Sequence, residues 1–271
     1  MAGCSGKGAG TLKGMHVKIF EPIGRFTIHT LEDVGQLALF CYNIVYWLLR
    51  GPFYVSQLFK QMEFIGVRSI SVVLLTGMFT GMVGALQTHY GFSLFGAESL
   101  VGSTTTLGLF RELGPVLAAL MVTARAGSAM TAEIGTMQVT EQVDALTVMG
   151  VNPYQYLIVP RIIASVVMMP MLALAFDAIG VVGSYFVGVK LLDIDSGVFM
   201  ARIEQYVYFS DLLTGLVKAT CFGLIFSTVG CYKGHTTHGG AEGVGKSTTN
   251  SVVISSVSIL IADYFLTAVM Y

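Results

Sequence analysis

The chain has 271 residues, of which 54% are hydrophobic and only 11% are charged, and its formal net charge is −1. A soluble globular domain carries roughly 25% charged residues, so this composition indicates a membrane protein and excludes a soluble enzyme or binding domain. The near-neutral charge gives no sign of nucleic-acid binding. The four cysteines show neither metal-ligand spacing nor a disulfide framework.

The first 62 residues are predicted to form a tail and an interfacial helix, ahead of a transmembrane domain at 63–271. Residues 1–15 lack the apolar core of a signal peptide, and we expect a flexible tail there. The stretch at 34–49, VGQLALFCYNIVYWLL, has 16 uncharged residues, which is short for a span of about 20. Trp47 and two tyrosines suit the headgroup level. This pattern favours a helix in the membrane interface over a sixth full span, which stays open.

Five further apolar tracts predict membrane-spanning helices near 67–88, 99–127, 162–189, 212–232 and 251–270. The tracts are long and do not alternate with period two, so they indicate helices rather than the strands of a barrel. Lysines and arginines gather before the first tract, whereas the loop at 89–98 has none, which predicts a cytoplasmic N-terminus. The predicted fold is therefore an all-α integral membrane protein with an N-terminal interfacial helix and five transmembrane helices.

The tract GAEGVGKST at 240–248 matches the phosphate-loop pattern through Gly240, Gly245, Lys246 and Ser247. A phosphate loop works between a buried strand and a helix of an α/β sheet. Here a predicted membrane helix stands on each side, and only 25 residues follow Lys246. We interpret the tract as a flexible cytoplasmic turn and expect no ATP binding by this chain.

The loop between the second and third spans is predicted to contain a short amphipathic helix, at about 138–150. Gly150 and the nearby Pro153 end it. Its polar face has acids but no lysine or arginine, which is the wrong sign for an anionic membrane surface, so a protein partner is favoured. Four apolar residues at helical spacing form its stripe: Val139, Val143, Leu146 and Met149. Two acids lie off the stripe near the helix start: Glu141 and Asp144.

Several charged residues lie inside the predicted spans: Arg111, Glu112, Asp177, Lys218 and Asp263. A charge in the bilayer interior is costly, so each should face protein or water. Arg111 could contact a lipid phosphate while Glu112 orients it, or both could pair with Lys218 and Asp263 to hold the helices together. The residues alone do not decide between these interpretations. Lys218 and Asp263 are interpreted as an interhelical pair.

The tract at 111–161, RELGPVLAALMVTARAGSAMTAEIGTMQVTEQVDALTVMGVNPYQYLIVPR, resembles the MlaE family of permeases. These permeases are the membrane subunits of ABC transporters that move phospholipids or related lipids. Weaker similarity extends from Gly77 to the C-terminus, including GMVGALQ in the first span and DYFLTAVM in the last. Asp177 departs from the family pattern, in which the corresponding span is apolar, so its role stays open.

The resemblance implies a homodimer in a bacterial inner membrane, with the C-terminus periplasmic. It implies a separate ABC ATPase subunit bound through a coupling helix that corresponds to about 138–150. A periplasmic ring of MCE-domain protein would receive the lipid, and many bacterial complexes add a STAS-domain subunit. ATP and Mg²⁺ would bind to the ATPase, so this chain is expected to need no cofactor and no metal.

The resemblance also implies a substrate pocket at the dimer interface, lined by the first and second spans. The family's Arg-Glu pair matches Arg111 and Glu112. We assign Phe95 and Glu98, which stand between these two spans, to the same pocket.

Two other functions fit the residues less well. A proton-driven secondary transporter of a small amphiphile could use Glu112, Asp177 and Asp263, but it predicts inverted repeats that the sequence does not show. A membrane enzyme would need a Ser-His pair or a metal cluster in the spans. The five histidines fall in tails, loop edges or turns, and HTTH at 235–238 is a weak metal pattern. The Gly77–Gly81 GxxxG pattern indicates either a helix contact or a cavity wall.

Overall fold

A computed structural model describes residues 35–48, 50 and 54–270 of the chain. The predicted N-terminal tail lies outside these residues. Within the described part the regular structure is helical, and nine helices follow one another. They are α1 (35–48), α2 (Val55–Met62), α3 (Ile70–Ser93), α4 (Glu98–Val139), α5 (Gln142–Val148), α6 (Tyr154–Leu191), α7 (Ser196–Tyr206), α8 (Phe209–His235) and α9 (Gly240–Met270).

Five helical segments of the described chain are long and apolar enough to cross a membrane, which confirms the predicted fold class. They are Val55–Ser93, which joins α2 to α3 through the π-helical turn Glu63–Val67, and then α4, α6, α8 and α9. All five are longer than the apolar tracts that predicted them. In α4 the helix continues twelve residues past Gly127, to Val139. Buried polar pairing supports this extension, because the Thr131 hydroxyl lies 3.1 Å from the Gly230 carbonyl oxygen and 2.9 Å from Ser251 Oγ.

The chain divides into two compact units, Met1–Tyr46 and Trp47–Tyr271. Most of α1 belongs to the first unit. The interfacial position predicted for α1 stays a prediction, because the residues on either side of 35–48 lie outside the described part of the chain. The five spans all belong to the second unit.

The helices α3 and α6 touch along glycines. A Cβ atom added to Gly81 would overlap the Gly180 carbonyl oxygen, and one added to Gly183 would overlap the Met78 carbonyl oxygen. At Gly77 the added atom would lie 2.8 Å from the Phe176 carbonyl oxygen. Small residues let helix backbones approach closely in lipid, where packing rather than water exclusion drives association. The GxxxG pattern therefore marks a helix contact, not a cavity wall.

The structure adds a helix, α7, between the third and fourth spans, where the sequence predicts no helix. The Asp195 side chain caps it by accepting a hydrogen bond from the Val198 N–H at 2.9 Å. Phe199 is fully buried, with its ring against Gly102 of α4 and Gly188 of α6. The segment was missed because its charged composition is typical of a loop and one aromatic side chain anchors it.

We expect Gly81→Ala to lower the thermal stability of the purified protein, because the added methyl group has no space beside Gly180. Overpacking of this kind costs about 1–3 kcal/mol. Gly91→Ala is the matched control, because no heavy atom lies within 4 Å of its added Cβ and alanine favours a helix over glycine. Thermal unfolding in mild detergent measures both variants. Equal melting temperatures for the two would contradict the close contact between α3 and α6.

Candidate functional site

A π-helical turn, Leu109–Leu113, interrupts α4 and carries Arg111 and Glu112. Such turns insert an extra residue into a helix and occur often at functional sites. Pro115 follows and has no N–H to offer the Arg111 carbonyl oxygen four residues before it. The Lys218 ammonium of α8 donates to that oxygen instead, at 3.1 Å. Pro115 thus leaves the Arg111 carbonyl oxygen without a helical N–H donor four residues ahead, and Lys218 from α8 donates a hydrogen bond to it.

Lys218 is fully buried and is the centre of a charged cluster inside the bundle. Its Nζ lies 2.8 Å from Glu112 Oε2, 3.1 Å from Asp263 Oδ1 and 2.7 Å from Thr267 Oγ1. The cluster joins α4, α8 and α9. The structure therefore brings Lys218 and Asp263 together as an interhelical pair, and it adds Glu112 to that pair.

Arg111 points to a different partner, Asp211 at the start of α8. Its Nε and Nη2 atoms lie 2.9 and 2.6 Å from Asp211 Oδ1, while Asp211 Oδ2 accepts the Tyr208 N–H at 3.0 Å. Sequence analysis did not single out Asp211. The available signal was an acid in the first turn of a predicted helix, where it can accept free backbone N–H groups.

Arg111 and Glu112 remain accessible although each is anchored. Their side chains are 38% and 39% exposed, in contrast to the buried Lys218. An accessible guanidinium is a planar, permanently charged group that suits a phosphate. The anchored Glu112 carboxylate can accept hydrogen bonds from a cationic or hydroxyl group. Among the described residues, no group of three or more His, Cys, Asp or Glu side chains is arranged to hold a metal ion.

Phe95 and Glu98 do not join this cluster. Glu98 begins α4, and Arg111 follows it thirteen residues later along the same helix, which corresponds to about 20 Å. Phe95 lies in the preceding linker with 82% of its surface exposed. The four residues assigned to the pocket therefore form two separate groups within one chain, because a continuous helix holds them apart.

Asp177 lies in α6, apart from the Lys218 cluster. It is buried, and its Oδ1 atom has no hydrogen-bond partner among the described residues. A Cβ atom added to Gly114 would overlap that oxygen, so the glycine of α4 leaves space for the carboxyl group. No hydrogen bond in the described part of the chain connects Asp177 to Lys218.

The predicted coupling helix is shorter than expected. The helix α5 covers Gln142–Val148, and Glu141 before it has a left-handed backbone with φ of 59°. This break separates Val139, the last residue of α4, from the rest of the predicted stripe.

Along α5 only Val143 of the predicted stripe is buried, Leu146 is half-buried and Met149 is 68% exposed. Within the single chain the stripe is therefore only partly covered, and its contact with a protein partner stays a prediction. Glu141 and Asp144 are exposed, and each could contact another protein.

An ion pair between a buried arginine and a half-exposed glutamate supports the base of this loop. Arg161 of α6 is 3% exposed, and its Nη2 atom lies 2.9 Å from Glu133 Oε2 of α4. The Arg161 Nη1 atom also donates to the Leu157 carbonyl oxygen at 2.8 Å. The pair holds the two helices that enter and leave the loop containing α5.

The phosphate-loop match is helical in the structure. The turn covers only 236–239, and α9 begins at Gly240, so the expectation of a flexible turn over 240–248 is wrong. Lys246 and Ser247 lie beyond the first turn of α9, where backbone N–H groups bond within the helix. The backbone cradle that a phosphate loop needs is absent from these described residues.

Comparison with known proteins places the chain among transporter membrane proteins. A family model described as Permease MlaE matches residues 58–269. A probable ABC transporter permease protein of Rickettsia typhi is 44% identical over 95% of this chain and 99% of its own. The intermembrane phospholipid transport system permease protein MlaE of Haemophilus influenzae is 37% identical over 95% of this chain and 99% of its own. The chloroplastic protein TRIGALACTOSYLDIACYLGLYCEROL 1 of Arabidopsis thaliana is 38% identical over 84% of this chain and 65% of its own.

We expect Lys218→Met to destabilise the protein, because two carboxylates then face each other without a cation. Removing one partner of a fully buried pair costs about 3–5 kcal/mol. The cost here is smaller, because the Glu112 and Asp263 side chains stay 39% and 20% exposed. Adding Asp263→Asn to Lys218→Met should recover part of the loss, and Lys246→Met is the control at an exposed lysine. Thermal unfolding in detergent measures the series, and a Lys218→Met variant as stable as its parent would refute the assigned cluster.

Proposed function

The chain belongs to the MlaE permease family, and from this membership we propose that it moves phospholipids between a bacterial inner membrane and a periplasmic protein passage. It is a multi-pass ABC transporter permease and not an enzyme. The observation that carries the proposal is the 37% identity to the Haemophilus protein, which is named for intermembrane phospholipid transport. Family membership excludes the alternative of a proton-driven secondary transporter.

The charged cluster of α4 supports a phospholipid cargo. A half-exposed arginine inside a membrane-spanning helix is costly unless it has a function or a partner, and Arg111 has its partner in Asp211. Its accessible guanidinium would lie against the lipid phosphate. Glu112, fixed by Lys218, would contact the polar part of the headgroup. Both groups are held in place by other helices, so binding requires little reorganisation.

A homodimer would complete the pocket. In one chain Arg111 and Glu112 lie at a partly open surface. Glu98 lies about 20 Å away along α4, and Phe95 lies in the linker before that helix. A second copy would close the surface beside α3 and α4. Phe95, together with the exposed Tyr90 and Leu94, would then lie toward the passage. That passage is proposed to be a ring of MCE-domain protein leading to the outer membrane.

The ABC ATPase is proposed to bind at α5, with a STAS-domain subunit as a further possible component on the ATPase. Val148 and Met149 are exposed there beside the acids Glu141 and Asp144. A cavity of about 330 Å³ lies where α4 ends and α9 begins, lined by Thr136, Val139, Thr140, Ala241 and Val244. This face would be cytoplasmic, with the N-terminus on the same side and the C-terminus periplasmic. ATP and Mg²⁺ would bind to the ATPase alone.

We expect Arg111→Gln and Glu112→Gln to reduce phospholipid transport at least about tenfold while the complex still assembles, because each removes a charged contact to the headgroup. Transfer of a fluorescent phospholipid from proteoliposomes to acceptor vesicles is the measurement. Arg202→Gln is the control, since Arg202 lies on α7, away from the cluster, and its Nη1 atom donates to Gln205 Oε1 of the same helix at 2.9 Å. Normal transport by both cluster variants would show that the pocket lies elsewhere.

We expect Glu141→Lys to leave the permease in the membrane but to weaken ATPase binding, so that stimulated ATP hydrolysis and transport fall together. The charge reversal also opposes the dipole at the start of α5, a term of about 0.3–1 kcal/mol. Asp193→Lys is a close control, because Asp193 is another exposed acid with a left-handed backbone, beyond the opposite end of α6. Quantitative pull-down of the ATPase decides the matter: undiminished capture by Glu141→Lys would rule out a docking role for this acid.

A further inference from the structure

A second group of basic side chains surrounds Phe64, outside the cluster of Lys218. Phe64 lies in the π-helical turn Glu63–Val67 between α2 and α3. The guanidinium carbons of Arg68 and Arg125 lie 6.0 and 5.5 Å from the centre of its ring. Arg125 comes from α4, within a second π-helical turn, Thr123–Gly127. Two cations from two different helices therefore meet at one aromatic ring, which attracts both.

Arg125 is held in place with part of its guanidinium free. Its Nη1 atom donates to the Phe64 carbonyl oxygen at 2.8 Å and to Ser69 Oγ at 2.9 Å. In the described part of the chain these are its hydrogen-bond partners, and both use the same nitrogen. Nε and Nη2 can thus bind a further acceptor, and the side chain needs no rearrangement to do so.

Arg68 is exposed and only loosely paired. Its Nη2 atom lies 3.7 Å from Glu63 Oε1, beyond hydrogen-bond distance, and the two side chains are 60% and 62% exposed. An exposed pair at this distance contributes little to the free energy of unfolding. Arg111 and Arg161 differ, because each lies within 2.9 Å of a carboxylate oxygen. The Phe64 group therefore keeps an excess of positive charge that the described carboxylates do not neutralise at short range.

The position of this group matches the level of lipid headgroups. The helix α3 begins at Ile70 and has 24 residues, about 36 Å, which is enough to cross the roughly 30 Å hydrocarbon layer. Residues 63–69 precede it and thus lie at the membrane surface. Lys60 is a further exposed cation, four residues before Phe64 in the chain. A phosphate beside the Phe64 ring would meet two guanidinium groups.

We propose that Arg68 and Arg125 form a phosphate-binding site at the membrane surface, and that a phospholipid headgroup occupies it. Arginine presents a planar set of N–H donors that matches two phosphate oxygens, and basic groups at this level attract anionic lipids. The site requires only that the chain lies in a bilayer. It uses none of the residues assigned to the transport pocket.

Binding of a soluble short-chain phosphatidylglycerol to the full-length chain in mild detergent tests the site. Calorimetry on an Arg111→Gln background removes the contribution of the transport pocket, so the result is independent of the proposed transport function. We expect Arg68→Gln to weaken lipid binding about tenfold and Arg68→Lys to weaken it less, since lysine keeps the charge without the planar donors. Arg125→Gln should weaken binding as well. Lys246→Gln, which removes an exposed cation from α9, should leave binding unchanged.

Arg68→Gln is the decisive variant, because its side chain is exposed and its removal breaks no short contact, whereas Arg125 also ties α4 to Phe64 and Ser69. Lipid affinity unchanged in Arg68→Gln would overturn the proposal. Inorganic phosphate serves as the second probe. Binding of phosphate as tight as that of the lipid, and equally sensitive to Arg68→Gln, would overturn the assignment to a lipid headgroup.

Discussion

A lysine ammonium in the interior of a membrane protein must find its acceptors within the protein, because lipid provides none. Lys218 finds them on two other helices, through the Arg111 carbonyl and Glu112 of α4 and through Asp263 and Thr267 of α9. These contacts hold α4, α8 and α9 together at the depth of Lys218. The bond to Lys218 also fixes the direction of the Glu112 side chain. The neighbouring Arg111 side chain points elsewhere and pairs with Asp211 in the first turn of α8. The accessible charges of the site are thus a consequence of how one buried cation is satisfied.

Several other contacts between the helices depend on glycine. The helix α6 meets α3 at Gly81 and Gly180, and it meets α8 where a Cβ atom on Gly223 would lie 2.8 Å from the Ser165 carbonyl oxygen. Against α4, Gly114 makes room for the Asp177 carboxyl group. In lipid, such close backbone approach supplies the packing energy that water exclusion supplies in soluble proteins. Side chains larger than hydrogen at these points would separate the helices that carry the charged cluster.

The π-helical turns relate the fold to function. Arg111 lies in one of them, Arg125 in another, and Phe64 in a third. An inserted residue changes the direction in which the following side chains leave a helix, so a long straight span can present an arginine to a chosen neighbour. In α4 the first turn directs Arg111 toward Asp211, and the second directs Arg125 toward the segment before α3. The helix α4 thereby carries Arg111 within the membrane interior and Arg125 at the proposed site on the membrane surface.

The sequence by itself determined the five spans, because any segment that crosses lipid must be long, apolar and helical whatever its neighbours are. Its central motif also identified the family, and the charged residues inside the spans identified where the polar chemistry lies. Tertiary structure alone decided the partners of those charges. Asp211 is 100 residues from Arg111 in the chain, and Lys218 is 106 residues from Glu112. A local sequence pattern therefore cannot predict either pair. The extension of α4, the start of α9 at Gly240 and the short α5 likewise required the fold, because helix ends depend on contacts with other helices rather than on apolar periodicity.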